Sequence, residues 1–272
     1  MRGAEQGWCV GGSVRIVARF RDQVAIVTGA GAPGGIGAAV ARDFVAEGGR
    51  VVLGATSERV HERAVELGDA AVGVVADLTV DGAADSLVRT ALDRWGRLDV
   101  LVNNAGMTSV STGWDADGDV AELSLADWDS ALARNLTTAF LMCRSVVPVM
   151  RSAGYGRIVS VGSTTGTVNA MPGQSTYTAA KAGLVGLSRA LALELVQSGI
   201  TVNVVAPGYI STGSQLPFEA EAAAAGPIGR SGTPAEIAAC VLFLAHKSAS
   251  FVTGAVLVAD GGHGLPETWP RP

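Results

Sequence analysis

Val24-Ala25-Ile26-Val27-Thr28-Gly29-Ala30-Gly31-Ala32-Pro33-Gly34-Gly35-Ile36-Gly37 decides the fold. Val24 to Val27 is a short apolar run and reads as a buried strand ending at Thr28-Gly29. From Gly35 the apolar residues Ile36, Val40 and Phe44 recur at helical spacing as far as Glu47, and Gly48-Gly49 stops the run. Glycine lets a backbone turn tightly and approach a ligand, and a helix N-terminus attracts negative charge. A glycine-rich turn from strand into helix therefore suits a pyrophosphate. Elsewhere such a loop is often only a flexible turn; here it joins the first strand and first helix of a repeating pattern, the context the reading needs.

The pattern continues outward. Further strands are predicted at 51–53, 71–76, 98–102, 157–161, 200–205 and 255–258, and helices at 58–67, 83–95, 126–150, 176–197 and 234–245. Strictly alternating elements with almost continuously apolar strands predict a parallel sheet covered on both faces. The expected fold is α/β: a single-domain, Rossmann-type doubly wound sheet of about seven strands over residues 19–264. Residues 1–18 read as a flexible extension and 265–272 as a tail.

Composition narrows the function classes. The chain has 272 residues, 48% hydrophobic and 17% charged, enough for one large domain with a buried core. A net charge of −5 gives no reason to expect nucleic acid or an anionic membrane as partner. Cys9, Cys143 and Cys240 are far apart, so neither a disulfide framework nor metal spacing is indicated, which fits a reducing, cytoplasmic setting. Cys143 and Cys240 sit in apolar helical patterns and are expected in the core.

Tyr177 and Lys181 stand four apart in a predicted helix, with Ser163 upstream at the end of a strand. Positions i and i+4 share a helix face, which sets an ammonium beside a phenol. A cation favours the ionised phenol, and a serine hydroxyl can bond the same reacting oxygen. Alone, a Tyr and a Lys at this spacing are an ordinary surface pair; the glycine loop at the start of the chain changes their meaning.

The loop, Asp77, Asn103-Asn104-Ala105-Gly106, Asn135, Ser163, Tyr177/Lys181, Pro207-Gly208 and Asp260-Gly261-Gly262 occur in one order. This ordered set resembles the short-chain dehydrogenase/reductase family over roughly residues 20–264. Ile228-Gly229-Arg230 and Val252-Thr253-Gly254 are similar to its 3-oxoacyl thioester reductases. One departure is in the loop: the family pattern is T-G-x-x-x-G-x-G, whereas five residues separate Gly29 from Gly35 here, predicting a bulge around Pro33.

The resemblance implies an oxidoreductase that moves a hydride between a nicotinamide and a carbonyl carbon. Tyr177 would be the general acid/base, with Lys181 lowering its pKa and binding the nicotinamide ribose. Ser163 would hold the substrate oxygen, and Asn135 a proton-relaying water. Gly29, Gly31, Gly35, Ile36 and Gly37 would border the phosphates, and Asp77 and Leu78 the adenine. Asn104, Ala105, Gly106, Pro207, Gly208, Ile210 and Thr212 would line the nicotinamide half. No metal is implied. Ala55, where an acidic residue would bind a ribose 2′-hydroxyl, is uncharged. Thr56, Ser57 and Arg59 instead favour NADP(H) over NAD(H). Glu58 is the counter-argument, and Thr56 and Ser57 could simply cap the next helix.

Ser163 is fourteen residues before Tyr177, one more than the usual spacing, which places an extra residue in the loop 164–174. Residues 107–127, with Asp115, Asp117, Asp119 and Glu122, and residues 211–226, with Phe218, are expected to shape the substrate site. The acidic stretch also reads as a solvated surface loop. Leu193 and Ser198 stand where resembling reductases carry basic residues for an acyl carrier protein, and neither is charged. Apolar rows with Leu184, Leu187, Leu191, Leu195 and Val185 suit a homotetramer or dimer, or packing within one chain. The expected function is NADP(H)-dependent reduction of a 3-oxoacyl-type or other small ketone, or the reverse. Rival readings are an NAD-dependent secondary-alcohol dehydrogenase, a catalytically silent NADP sensor or scaffold, and an epimerase or dehydratase.

Overall fold

The computed structural model describes residues 18–106 and 118–265. The expected extension, apart from Ala18, the tail after Leu265, and Asp115 and Asp117 lie outside those residues.

Seven parallel strands form one sheet: β1 (Val24–Thr28), β2 (Arg50–Ala55), β3 (Ala71–Val75), β4 (Val100–Asn103), β5 (Gly156–Val161), β6 (Ile200–Pro207) and β7 (Val256–Ala259). Their order is β3-β2-β1-β4-β5-β6-β7. The chain therefore winds away from β1 in both directions, and the crevice beyond β1 and β4 is where a doubly wound sheet binds ligands. In register, Val27 lies between Leu53 and Val102.

The helices are α1 (Ile36–Ala46), α2 (Arg59–Leu67), α3 (Ala83–Trp95), α4 (Leu125–Leu132), α5 (Thr138–Ala153), α6 (Ser175–Leu195), α7 (Pro217–Ala225) and α8 (Pro234–Ala245). Every residue of β1, β5 and β6 is buried because helices cover both faces. On one face Val27, Leu53 and Val205 pack with Val40 and Phe44 of α1 and Ile237 and Val241 of α8. On the other, Ile26, Val52, Leu101 and Ile158 pack with Leu87 of α3, Met142 of α5 and Leu195 of α6. Among the described residues no helix is long and apolar enough to cross a membrane.

Three features depart from the sequence pattern. The helix expected over 126–150 is two helices, α4 and α5, joined by a π-helical turn at Ala133–Thr137. The alanine-rich segment expected as a loop contains α7. Alanine favours helix, Pro217 stands in its first turn, and the Glu219 carboxylate accepts from Leu216 N–H at 2.8 Å. Leu184, Val185 and Leu195 are already buried within the single chain, so these members of the apolar rows need no second subunit.

Candidate active site

The crevice is built where β1 meets β4. Thr28 is buried, and its Oγ1 accepts from Asn104 N–H at 3.0 Å and Ala105 N–H at 2.9 Å while donating to Val102 O at 3.3 Å. The Asn104 amide returns the link, donating to Thr28 O at 3.0 Å and Gly29 O at 3.1 Å. Gly29 has φ +67°, and a side chain there would strike the backbone of Ala105 at 2.9 Å. At Gly37 it would lie 2.6 Å from Asn104 Nδ2. These glycines are needed to pack the start of α1 against the end of β4. Gly106, with φ +136°, abuts Asn135 Oδ1. Thr28 escaped sequence reading, because its role depends on the pairing of β1 with β4.

The longer glycine loop has a simple solution. Gly35 N–H donates to Ala32 O at 3.0 Å, so Ala32-Pro33-Gly34-Gly35 is a tight turn with proline at its second position. Ala32, Pro33 and Gly34 are exposed, whereas Gly31 is buried against Ala55 and Ser57. No side chain caps α1, which starts at Ile36, so its first N–H groups remain available to an anion. That donor set fits a dinucleotide phosphate.

At the end of β2, Ser57 is half-buried and Thr56 exposed, and no side chain caps α2. The capping alternative is therefore not realised. Arg59 Nε lies 3.4 Å from Ser57 Oγ, and Arg59 forms no ion pair among the described residues. Glu58 faces His61 instead, at 3.3 Å. Asp77 is exposed, its carboxylate accepting from Thr79 N–H and Oγ1 at 3.0 and 2.7 Å, which holds it below the usual carboxylate range. The Leu78 side chain is buried among Ala76, Ala84 and Leu87, so only its backbone can border a ligand.

Ser163, Tyr177 and Lys181 come together where β5 ends and α6 begins. Ser163 Oγ accepts from Thr165 N–H at 3.1 Å and bonds the Tyr177 phenol. Lys181 is buried, 5.5 Å from the Tyr177 ring centre, and donates to Val161 O at 3.1 Å. Burial pushes its pKa down to about 8. Burial also raises the Tyr177 pKa, the Ser163 bond lowers it, and the charge of Glu219 raises it. Desolvation of the phenol dominates, so the Tyr177 pKa lies above its ordinary value here.

Asn135 is buried in the π-helical turn and donates to Ala131 O at 3.1 Å. π-Turns inside helices are frequent at functional sites. Thr164 is buried, and its backbone carbonyl accepts from the N–H groups of Thr167, Val168 and Asn169. This ties the loop after Ser163 and leaves Ser163 as the serine at the phenol.

The far wall is made by the ends of β6 and β7. Gly208 packs on Asp260, whose carboxylate accepts from Gly262 and Gly264 N–H at 2.9 and 2.8 Å. Ile210 pairs with Gly232 through the backbone and packs toward the α8 core. Thr212 Oγ1 meets Ser214 Oγ at 3.0 Å. Over this wall lies α7, with its end, Gly226, against His263. Cys143 is buried, its thiol pushed up to about 12, and Cys240 is half-buried against the core. No cluster of His, Cys, Asp or Glu suited to a metal occurs among the described residues.

Comparison with known proteins agrees with this geometry. Residues 29–264 match the family described as enoyl-(acyl carrier protein) reductase. The chain is 38% identical to the 3-oxoacyl-(acyl-carrier-protein) reductase of Salmonella typhimurium over 248 residues, 89% of this chain and 98% of the relative. It is 39% identical over 254 residues to the (2S)-[(R)-hydroxy(phenyl)methyl]succinyl-CoA dehydrogenase subunit of Thauera aromatica, 90% of this chain and 98% of that one. The cis-4-hydroxycyclohexanecarboxylate dehydrogenase of Sinomonas cyclohexanicum is 40% identical over 251 residues, 90% of this chain and 97% of its own. The chain belongs to the short-chain dehydrogenase/reductase family and is an NAD(P)-dependent oxidoreductase acting on CH–OH and C=O groups.

Proposed function

We propose that the protein uses NADP(H) to reduce a ketone, of the 3-oxoacyl type or another small carbonyl, to a secondary alcohol, or runs the reverse reaction, with Tyr177 as general acid/base. The observation that carries this reading is the Ser163–Tyr177–Lys181 cluster at the end of β5, on the ligand-binding edge of the sheet.

The bound dinucleotide supplies the hydride. In reduction, Tyr177 gives its phenol proton to the carbonyl oxygen as negative charge develops there. Ser163, whose Oγ accepts from Thr165 N–H and bonds the Tyr177 phenol, would turn its hydroxyl hydrogen to the same substrate oxygen. Lys181, with a pKa of about 8, would stabilise the phenolate that this transfer leaves and would bind the nicotinamide ribose. Asn135 holds the water that returns a proton to Lys181. The uncapped start of α1 receives the pyrophosphate. Gly29, Gly31, Gly35, Ile36 and Gly37 line that end, Asp77 and Leu78 the adenine, and Asn104, Ala105, Gly106, Pro207, Gly208, Ile210 and Thr212 the nicotinamide end.

NADP(H) is supported over NAD(H) by Ser57 and by Arg59, which forms no ion pair among the described residues, beside the uncharged Ala55, and by the turn of Glu58 toward His61. Leu193 is 82% exposed and Ser198 carries no charge, which supports a substrate not presented by an acidic carrier protein. We also infer a homo-oligomer, a tetramer or dimer, in which the exposed Phe140 and Leu193 of α5 and α6 would be covered. Light scattering of the purified protein tests this.

The deciding experiment measures NADPH oxidation over a ketone panel, with NADH in parallel, for the wild type and Tyr177→Phe. Turnover by the wild type and a loss of at least about a hundredfold in the variant, with NADPH still bound, is expected. Near-normal turnover in the variant sinks the assignment.

A further inference from the structure

The sequence singles out Asp260-Gly261-Gly262, and the proposed chemistry leaves these residues without a part. In the structure they open a tight turn directly after β7. Gly261 and Gly262 have φ +63° and +83°, so the chain doubles back there. The Asp260 carboxylate fixes the result: Oδ1 accepts from Gly262 N–H at 2.9 Å and Oδ2 from Gly264 N–H at 2.8 Å. The base of the turn rests on the end of β6, where a side chain on Gly208 would lie 2.8 Å from Asp260 Cβ. Its far end, Gly264, has no room for a side chain either: a Cβ there would stand 2.7 Å from Val168 Cγ1.

Val168 belongs to the loop that carries Ser163. That loop is a tight unit. Thr164 O accepts from Thr167, Val168 and Asn169 N–H at 3.1, 2.8 and 3.0 Å, and Thr167 Oγ1 donates to Ser163 O at 2.6 Å. The unit meets the rest of the protein on three sides. Thr164 N–H donates to Pro207 O at 2.9 Å. Gly166 abuts α6, where a side chain on it would stand 2.6 Å from Thr178 O and 3.2 Å from Lys181 Cβ. Val168 meets Gly264. The turn after β7 thus holds the serine loop at one end and, through Asp260, the residue after Pro207 at the other. Pro207–Thr164, Val168–Gly264 and Asp260–Gly208 close a ring of contacts. This is also the loop whose extra residue lengthens the approach from Ser163 to Tyr177, and a longer loop loses more entropy when its position is fixed.

We propose that the turn Asp260–Gly264 is a positioning element for Ser163: its contact with Val168 holds the loop so that Ser163 Oγ stays in reach of the Tyr177 phenol and of the substrate oxygen. The inference rests on the ketoreductase reading above and on the role given there to Ser163. Gly264 and Val168 act only through the serine they place. A donor misplaced by about 1 Å can cost about a hundredfold in rate, so a contact of this kind shows in kcat.

The test moves methyl groups across this contact and uses NADPH with the ketone that the wild type reduces fastest. Gly264→Ala drives a Cβ into Val168 and should lower kcat about tenfold, with the Kd of NADPH kept within about twofold. Val168→Ala withdraws the contact and should lower kcat several-fold. The double variant sets two Cβ atoms 3.8 Å apart, an ordinary contact, and should return to within about threefold of the wild type. In a Ser163→Ala background neither single change should lower kcat further, because the hydroxyl they place is gone. An unchanged kcat in Gly264→Ala overturns the proposal, as does a double variant no better than that one. Losses that persist in full without the Ser163 hydroxyl also overturn it and mark the turn as structural only. Should Gly264→Ala fail to fold, Val168→Ala with and without the Ser163 hydroxyl decides by the same criterion. A wild type that reduces no ketone of the panel is a different result: it removes the ketoreductase reading itself and the inference with it.

Discussion

The Lys181 ammonium sits 5.5 Å from the centre of the Tyr177 ring while donating at 3.1 Å to Val161 O. A buried lysine with one carbonyl for a partner disfavours its own charge, and its pKa falls from 10.5 to about 8. The folded state thus binds its proton less tightly than the unfolded chain. The destabilisation is complete below about pH 8 and fades as pH rises from about 8 toward 10.5. Lys181→Met should therefore abolish turnover yet melt higher than the wild type near pH 7, by about 2–6 °C once the lost bond to Val161 is allowed for. The gap should close by about pH 10. Thermal melts of both proteins across that range check it. A variant less stable at pH 7 would contradict the burial argument.

Thr28 supplies the acceptor for two backbone N–H groups at the start of the Asn104-Ala105-Gly106 segment. Thr28→Val keeps the shape and removes the oxygen. Leaving these donors without a partner costs about 1–3 kcal/mol each, so the melting point should fall by about 4–10 °C. NADPH binding should weaken about tenfold or more as the wall of the crevice loosens. Calorimetry and a fluorescence titration of NADPH measure the two effects. Loss of stability with unchanged affinity would detach this latch from the cofactor site.

The central strands were legible because they are buried on both faces, and an unbroken apolar run such as Val24 to Val27 has no polar alternation to confuse it. The cluster of Ser163, Tyr177 and Lys181 was legible because one helix face and one strand end bring it together. α7 was not, because a run of alanines has no amphipathic period to set it apart from a loop. The π-helical turn around Asn135 was hidden for a related reason: one extra residue in a turn shifts the helical period without leaving a breaker such as glycine. Thr28 depends on which elements become neighbours in space, and no local pattern carries that information.

The cofactor reading turns on Ala55, whose side chain lies against Gly31 at the end of β2, close to Ser57 and Arg59. Ala55→Asp puts a carboxylate where a ribose 2′-hydroxyl would be accepted and a 2′-phosphate repelled. It should also draw Arg59 into an ion pair. The ratio of kcat/KM for NADPH over NADH should fall about a hundredfold, and in Arg59→Ala about tenfold. Steady-state kinetics with both cofactors decide this. A ratio that stays put in both variants would remove the 2′-phosphate from this corner.

The last expectation concerns the extra residues in the glycine loop. Ala32, Pro33 and Gly34 are exposed, a side chain on Gly34 would meet nothing within 4 Å, and the turn already brings Ala32 O to 3.0 Å from Gly35 N. Deleting Pro33 and Gly34 leaves Thr28-Gly29-Ala30-Gly31-Ala32-Gly35-Ile36-Gly37, the common family spacing, and asks the backbone to close a gap that the turn has nearly closed. Gly31 keeps its seat against Ala55, and Gly37 keeps its seat against Asn104. A shorter loop also loses less entropy on ordering, by a few tenths of a kcal/mol. The deletion should shift the melting point by less than about 2 °C and leave NADPH affinity within about threefold. A tenfold or greater loss of affinity would mean that the amides of the turn itself grip the phosphates, and that the protrusion is a binding element and not a tolerated insertion.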